Sequence, residues 1–232
     1  MGHAVERMAI ERGHEIVARI DADNRGEIGS DAFASADVAI EFSTPATAFD
    51  NCADALRRGI PAVVCGSTGW TSQIDEIQRI AKDTGGRFFW TSNFSLGMNI
   101  FFEINRRLAT IMQRFPAYTP AMKEIHHIHK LDHPSGTAVS LATDIVERVQ
   151  RIDRWTETPD EERTLLIEHE RVGEVPGTHI VKWDSAVDTI TIEHRAKSRD
   201  GFALGAVIAA EWLRTQQPGV HRMTELMEAL GI

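Results

Sequence analysis

The stretch Ala62-Val63-Val64-Cys65-Gly66-Ser67-Thr68-Gly69 decides the fold class. Its apolar start reads as a short strand, which runs directly into a tight glycine loop. A helical period follows from about Ser72 to Thr84, with Ile74, Ile77 and Ile80 on one face. The same order recurs on either side. Val38 to Phe42 reads as a buried-type strand. Ser43-Thr44-Pro45 then starts a helix, with Thr44 as cap and Pro45 at the first helical position. Phe49, Cys52, Ala53 and Leu56 form its apolar face, and Gly59 ends it. Arg87 to Thr91 is the next strand, followed by Ser92-Asn93-Phe94-Ser95. Strands alternating with helices imply a parallel sheet, with ligands beyond the carboxyl ends of its strands.

Toward the N-terminus, Val5, Met8 and Ala9 mark a helix that stops at Gly13, and Glu15 to Ile20 is expected as a strand ending at Asp21. An acid about 20 residues beyond the last glycine of a phosphate loop is where a dinucleotide fold holds ribose hydroxyls. Gly2 and Asp21 have that spacing.

Beyond Ser95 the pattern changes. Met98 to Phe115 predicts a long helix burying Phe101, Ile104, Leu108, Ile111 and Met112. A polar strand follows, then a helix capped by Ser135 and running to about Gln150. From Thr164 to Arg195 the period is two, which predicts a mostly antiparallel sheet. The expected organisation is a Rossmann-like α/β domain over 1–95, with 202–232 packing back on it. A second α+β domain over 96–201 is expected to serve substrate binding and oligomerisation.

Composition narrows the function. The net charge of −9 argues against nucleic acid, whose binders need a basic face. No apolar run approaches the roughly 20 residues of a membrane span. Cys52 and Cys65 fall in core-type segments, which fits a reducing compartment.

Glu124-Ile125-His126-His127-Ile128-His129-Lys130-Leu131-Asp132-His133-Pro134-Ser135-Gly136-Thr137-Ala138 holds the densest chemistry. Zinc is not expected, because the stretch has neither Cys-x-x-Cys nor His-Glu-x-x-His spacing. Acid and anion chemistry fits better. A histidine donates a proton, Lys130 meets a carboxylate, and Gly136 and Thr137 offer amides at a helix start.

This run resembles the signature Glu-x-His-His-x-x-Lys-x-Asp-x-Pro-Ser-Gly-Thr-Ala of the dihydrodipicolinate (4-hydroxy-tetrahydrodipicolinate) reductase family. Gly66–Gly69, Ser92–Asn99 and Ile192–Arg199 add to the likeness, which spans essentially the whole chain. The resemblance implies His126 as proton donor and Lys130 as the other catalytic residue. It implies substrate contacts at His127, Gly136, Thr137 and Arg199. It implies cofactor contacts at Gly2, Asp21, Phe42, Gly66, Ser67, Thr68, Thr91, Ser92, Asn93 and Phe94. In the family, hydride passes from NAD(P)H to the ring of a small cyclic dicarboxylate formed by loss of water, on the way to diaminopimelate and lysine. The family works as a cytoplasmic homotetramer.

Three departures stand out. Ala22 follows Asp21 where NADPH-tolerant members often carry Arg, so NADH is expected over NADPH. His133 replaces the usual small residue before the proline. The family's first strand and Gly-x-x-Gly-x-Met-Gly loop are matched only from Met1-Gly2 onward, so the chain as given is expected to be a shortened form. Its loss of strand partners should cost several kcal/mol. The alternatives are another two-domain nicotinamide oxidoreductase, or an inactive ligand-binding form.

Overall fold

A computed structural model describes residues 1–159 and 161–232. Contacts divide the chain into two units, Met1–Leu96 with Arg199–Ile232, and Gly97–Ser198. In chain order the first unit begins with α1 (Gly2–Glu11), α2 (Asp31–Ala34), β1 (Ala39–Glu41), α3 (Ala48–Arg57), β2 (Ala62–Cys65), α4 (Ile74–Thr84) and β3 (Arg87–Trp90). The second follows with α5 (Leu96–Met112), β4 (Thr119–His126), α6 (Gly136–Arg148), β5 (Arg154–Thr156), β6 (Thr164–Arg171), β7 (Thr178–Asp184) and β8 (Thr189–Arg195). The chain then completes the first unit with α7 (Asp200–Leu213), β9 (Gly219–His221) and α8 (Met223–Ala229).

The first unit is a parallel sheet in the order β1-β2-β3-β9. Side chains alternate across a strand, so a doubly covered sheet needs apolar residues at every position. Val63, Cys65 and Phe88 enter the core beneath α3 and α4, while Ala62, Val64 and Phe89 enter the one beneath α7 and α8. Helix α7 passes close to the chain after β3. A Cβ on Gly205 would lie 1.8 Å from the Phe94 carbonyl oxygen, so only glycine permits that approach.

Two expectations fail here. Residues 15–20 run without helix or strand partners, although Ile16, Ala18 and Ile20 still pack against the cores. Alternation alone does not make a strand when no ladder receives it. Helix α3 begins at Ala48 rather than at Pro45. Residues 45–47 form a turn in which the Thr44 carbonyl accepts from the Thr47 and Ala48 amides. The strand β9 has no apolar run to announce it.

The second unit is a five-stranded sheet, β5-β6-β4-β7-β8. It is mixed, not mostly antiparallel. The β5–β6 and β6–β4 pairs are parallel, and the β4–β7 and β7–β8 pairs antiparallel. The chain leaves β4 through α6 before laying down β5 and β6, and such a crossover returns a strand in parallel. One face packs on α5 and α6, around Met122, Leu165, Ile167, Val181, Trp183, Leu141 and Ile145. Helix α5 buries the expected Phe101 and Met112 and packs Leu108 on the core, but not Ile104 or Ile111. It buries Met98, Phe101, Asn105, Ala109 and Met112, and leaves Ile104 and Ile111 45% and 53% exposed. Buried Asn105 donates to the Leu141 carbonyl at 3.0 Å. Among the described residues, no helix is long and apolar enough to cross a membrane.

Candidate active site

In the second unit the functional stretch is the end of β4 and the connection to α6. Buried positions alternate along β4, so Glu124 and His126 share the core-facing side. The register places His179 of β7 beside Glu124 and Arg171 of β6 beside His126. Glu124 thereby becomes the hub of the site. Its side chain is fully buried. Oε1 accepts the Ser135 amide at 3.0 Å and lies 3.1 Å from Arg171 Nη2. Oε2 lies 3.1 Å from His126 Nδ1 and 3.9 Å from His179 Nε2. Burial alone would raise the carboxyl, but His126, Ser135 and Arg171 outweigh it and hold it at about 2. Glu124 is therefore a carboxylate at neutral pH, and it compensates the cations around it.

His126 faces this charge through Nδ1. Its Nε2 points toward Gly177, where a Cβ would come within 3.1 Å. Gly177 also has φ +151°, which disfavours any other residue. His179 is buried, its ring 5.1 Å from that of His126 and nearly perpendicular to it. Burial, and then the His126 charge, pull it down to about 4, so it is neutral at pH 7.

Ser135 caps α6 as the sequence suggests. Its side-chain oxygen accepts the Ala138 amide at 3.2 Å, and the same oxygen lies 3.2 Å from His179 Nε2. That cap orients the first turn, with Gly136 exposed at its start and Thr137 next to it. Lys130 Nζ lies 2.8 Å from Asp132 Oδ1. Lys130, with help from the Gly136 amide, keeps the Asp132 carboxyl below its ordinary range. Arg171 also donates to the carbonyls of Lys130 and Asp132, pinning the loop that carries the lysine. His127 sits beside His129, ring centroids 5.9 Å apart. The second unit thus collects His126, His127, Lys130, Gly136 and Thr137 on one connection. Arg199 belongs to the first unit, exposed at the start of α7.

Of the residues expected around a dinucleotide, Phe42 follows β1, Gly66, Ser67 and Thr68 follow β2, and Thr91 to Phe94 follow β3, while Gly2 opens α1 and Asp21 precedes β1. Phe42 and Phe94 pack with ring centroids 5.6 Å apart and planes tilted at 56°, and Phe89 backs Phe94 at 5.7 Å. Phe42 also packs on Gly66, where any side chain would collide with its ring. The Gly66–Gly69 loop is held by its carbonyl at Ser67, which accepts from both Trp70 Nε1 at 2.8 Å and Trp90 Nε1 at 3.0 Å. Thr91 Oγ1 accepts the Asn93 amide, shaping the Thr91–Phe94 turn. Helix α1 starts without a side-chain cap, and nothing approaches the Cβ position of Gly2. A helix start without a side-chain cap, beside open space, suits a phosphate. Asp21 is exposed and accepts the Ala22 amide at 2.7 Å. These residues fit a bound dinucleotide.

Two family descriptions cover the chain almost end to end, "Dihydrodipicolinate reductase, N-terminus" over residues 1–94 and "Dihydrodipicolinate reductase, C-terminus" over 97–227. The chain belongs to the dihydrodipicolinate reductase family. A 4-hydroxy-tetrahydrodipicolinate reductase of Christiangramia forsetii is 42% identical over 99% of this chain and 95% of its own length. The enzyme of that name from Archaeoglobus fulgidus is 32% identical over 98% of this chain and 96% of its own. A dipicolinate-bound dihydrodipicolinate reductase from Paenisporosarcina sp. TG-14 has a TM-score of 0.62 at 20% identity, covering 82% of this chain and 73% of that one. That likeness speaks for the fold, a Rossmann-like parallel sheet with a second mixed sheet.

Sequence reasoning gave no role to Glu124, Arg171, His179 or Gly177. Glu124 was within reach, two strand positions from His126 and so on the same face. Arg171 and His179 come from β6 and β7, and only strand register brings them in.

Proposed function

We propose that this chain reduces 4-hydroxy-tetrahydrodipicolinate with NAD(P)H, preferring NADH, in the synthesis of diaminopimelate and lysine. The observation that carries the reading is His126 set against a buried, ionised Glu124, in a chain that matches named reductases over nearly its full length. A bound reduced nicotinamide supplies hydride to the substrate ring. His126 donates the proton from Nε2, while Glu124 faces its Nδ1 at 3.1 Å and orients the ring. Lys130 places a cation beside the anionic substrate, exchanging Asp132 for a substrate oxygen. The Gly136 and Thr137 amides hold one carboxylate at the α6 N-terminus, and His127 contacts the ring. Arg199 takes the second carboxylate on the strength of the resemblance.

The cofactor contacts are Gly2 for phosphate, Asp21 for the ribose hydroxyls, and Phe42, Gly66, Ser67, Thr68, Thr91, Ser92, Asn93 and Phe94 around the remainder. NADH is favoured because Asp21 has Ala22 beside it, and Arg25 lies 3.6 Å from Asp54. A carboxylate without a free cation repels a 2′-phosphate. The working form is a cytoplasmic homotetramer.

The deciding experiment follows oxidation of NADH and of NADPH by the purified chain, with enzymatically generated substrate. Turnover with a higher kcat/KM for NADH is expected. Nucleotide binding without turnover would refute the enzyme reading. His126→Ala should lower kcat about a hundredfold or more with little change in KM, and an unchanged kcat would remove its proton-donor role.

A further inference from the structure

His133 stands where the family pattern has a small residue, and the proposed reaction gives it no task. In the structure it stacks on His169, with ring centroids 4.7 Å apart and planes at 22°. Both rings turn a nitrogen to the same oxygen. Glu157 Oε2 lies 3.4 Å from His133 Nδ1 and 2.9 Å from His169 Nε2. We infer that His133, Glu157 and His169 form a binding site for a divalent transition-metal cation of the zinc type.

The chemistry of the donors fits. Two imidazoles and one carboxylate are a ligand set that zinc accepts, with water completing a tetrahedron. Bonds of about 2.0–2.1 Å at tetrahedral angles put neighbouring ligands about 3.3 Å apart, close to both observed separations. All three donor atoms lie within 4.8 Å of one another. The side chains are 59%, 38% and 32% exposed, in the order His133, Glu157, His169, so an aqueous ion can reach them. Among the described residues, no lysine or arginine pairs with Glu157. Two other clusters could hold a metal, and both are poorer. The Glu124–His126–His179 cluster is buried, and Arg171 already neutralises its carboxylate. The Glu41–Cys52–Cys65 cluster is buried, and its carboxylate already accepts from Cys65 and Ser43.

The expectation of no metal came from spacing within residues 126–133. The three donors instead come from three segments: the loop before α6, the loop after β5, and β6 itself. An ion there ties His133, two residues before the Ser135 cap, to the sheet. It would therefore clamp the entry to the carboxylate cradle.

The test uses tag-free, full-length protein titrated with Co²⁺, whose visible absorption reports a four-coordinate site, followed by displacement with Zn²⁺. One saturable equivalent is expected. His133→Ala, Glu157→Gln and His169→Gln should each weaken binding about tenfold or more, with unchanged far-UV circular dichroism. His126→Ala should bind as the parent does. Absence of saturable binding would overturn the inference. So would binding that survives all three substitutions, or binding lost in His126→Ala, which would move the ion to the buried cluster.

Discussion

Glu124→Gln is the sharpest test of the second unit, because it keeps the shape of the hub and removes its charge. The surroundings move this carboxyl from an ordinary 4.5 to about 2. At about 1.36 kcal/mol per tenfold change in proton affinity, that corresponds to about 3 kcal/mol favouring the ionised form. The pKa is depressed, so the stabilisation is complete above about 4.5 and fades as pH falls toward 2. A neutral amide still accepts the Ser135 amide, but leaves Arg171 without its counter-charge and His126 without the carboxylate it faces. Urea unfolding at pH 7 should therefore show a loss of about 3 kcal/mol, in the range for breaking one side of a buried ion pair. The gap from the parent should narrow below pH 4.5. Turnover should also fall, since the proton donor loses the carboxylate that faces its Nδ1. A loss under about 1 kcal/mol at pH 7, or a loss that does not change with pH, would refute the hub.

Three further outcomes are expected. His179 is held neutral at about 4 against an ordinary 6.5, so the unfolded chain takes up its proton first. Stability should drop by up to about 3 kcal/mol as pH falls from 6.5 to 4, and His179→Gln should flatten that slope in unfolding curves. Ala22→Arg should raise kcat/KM for NADPH about tenfold, because one charge-assisted contact to a 2′-phosphate contributes about 1.5 kcal/mol; no change in the NADPH to NADH ratio would remove the argument from Asp21. Gly205→Ala places a carbon 1.8 Å from a backbone oxygen that cannot yield, so unfolding should show a loss of about 3 kcal/mol.

The parallel sheet was legible because β2 and β3 are apolar at successive positions and end in glycine or polar loops. The Ser135 cap was legible because a serine before a helical period is a local signal. Helix α5 was misread at Ile104 and Ile111 because it is apolar on more than one side. Ile100, Ile104 and Ile111 have the right spacing as well as Met98, Phe101 and Met112, and only contact with the sheet and α6 selects between the faces. Residues 15–20 show the complementary limit, since a strand-like sequence becomes a strand only when a partner edge receives it. The electrostatics of Glu124 were hidden for a related reason. His126 and Ser135 are near Glu124 in the chain, but Arg171 lies 47 positions away and His179 enters from β7, and no local pattern encodes those two.

The doubly held Ser67 carbonyl has a use beyond fixing a loop. Of the five tryptophans in the chain, Trp70 and Trp90 are hydrogen-bonded to the backbone of the segment proposed to meet the nicotinamide. The molecule thus carries an intrinsic optical probe of its cofactor loop. Nucleotide binding that moves Ser67 should shift the emission of these two indoles, leaving Trp155, Trp183 and Trp212 as an internal reference.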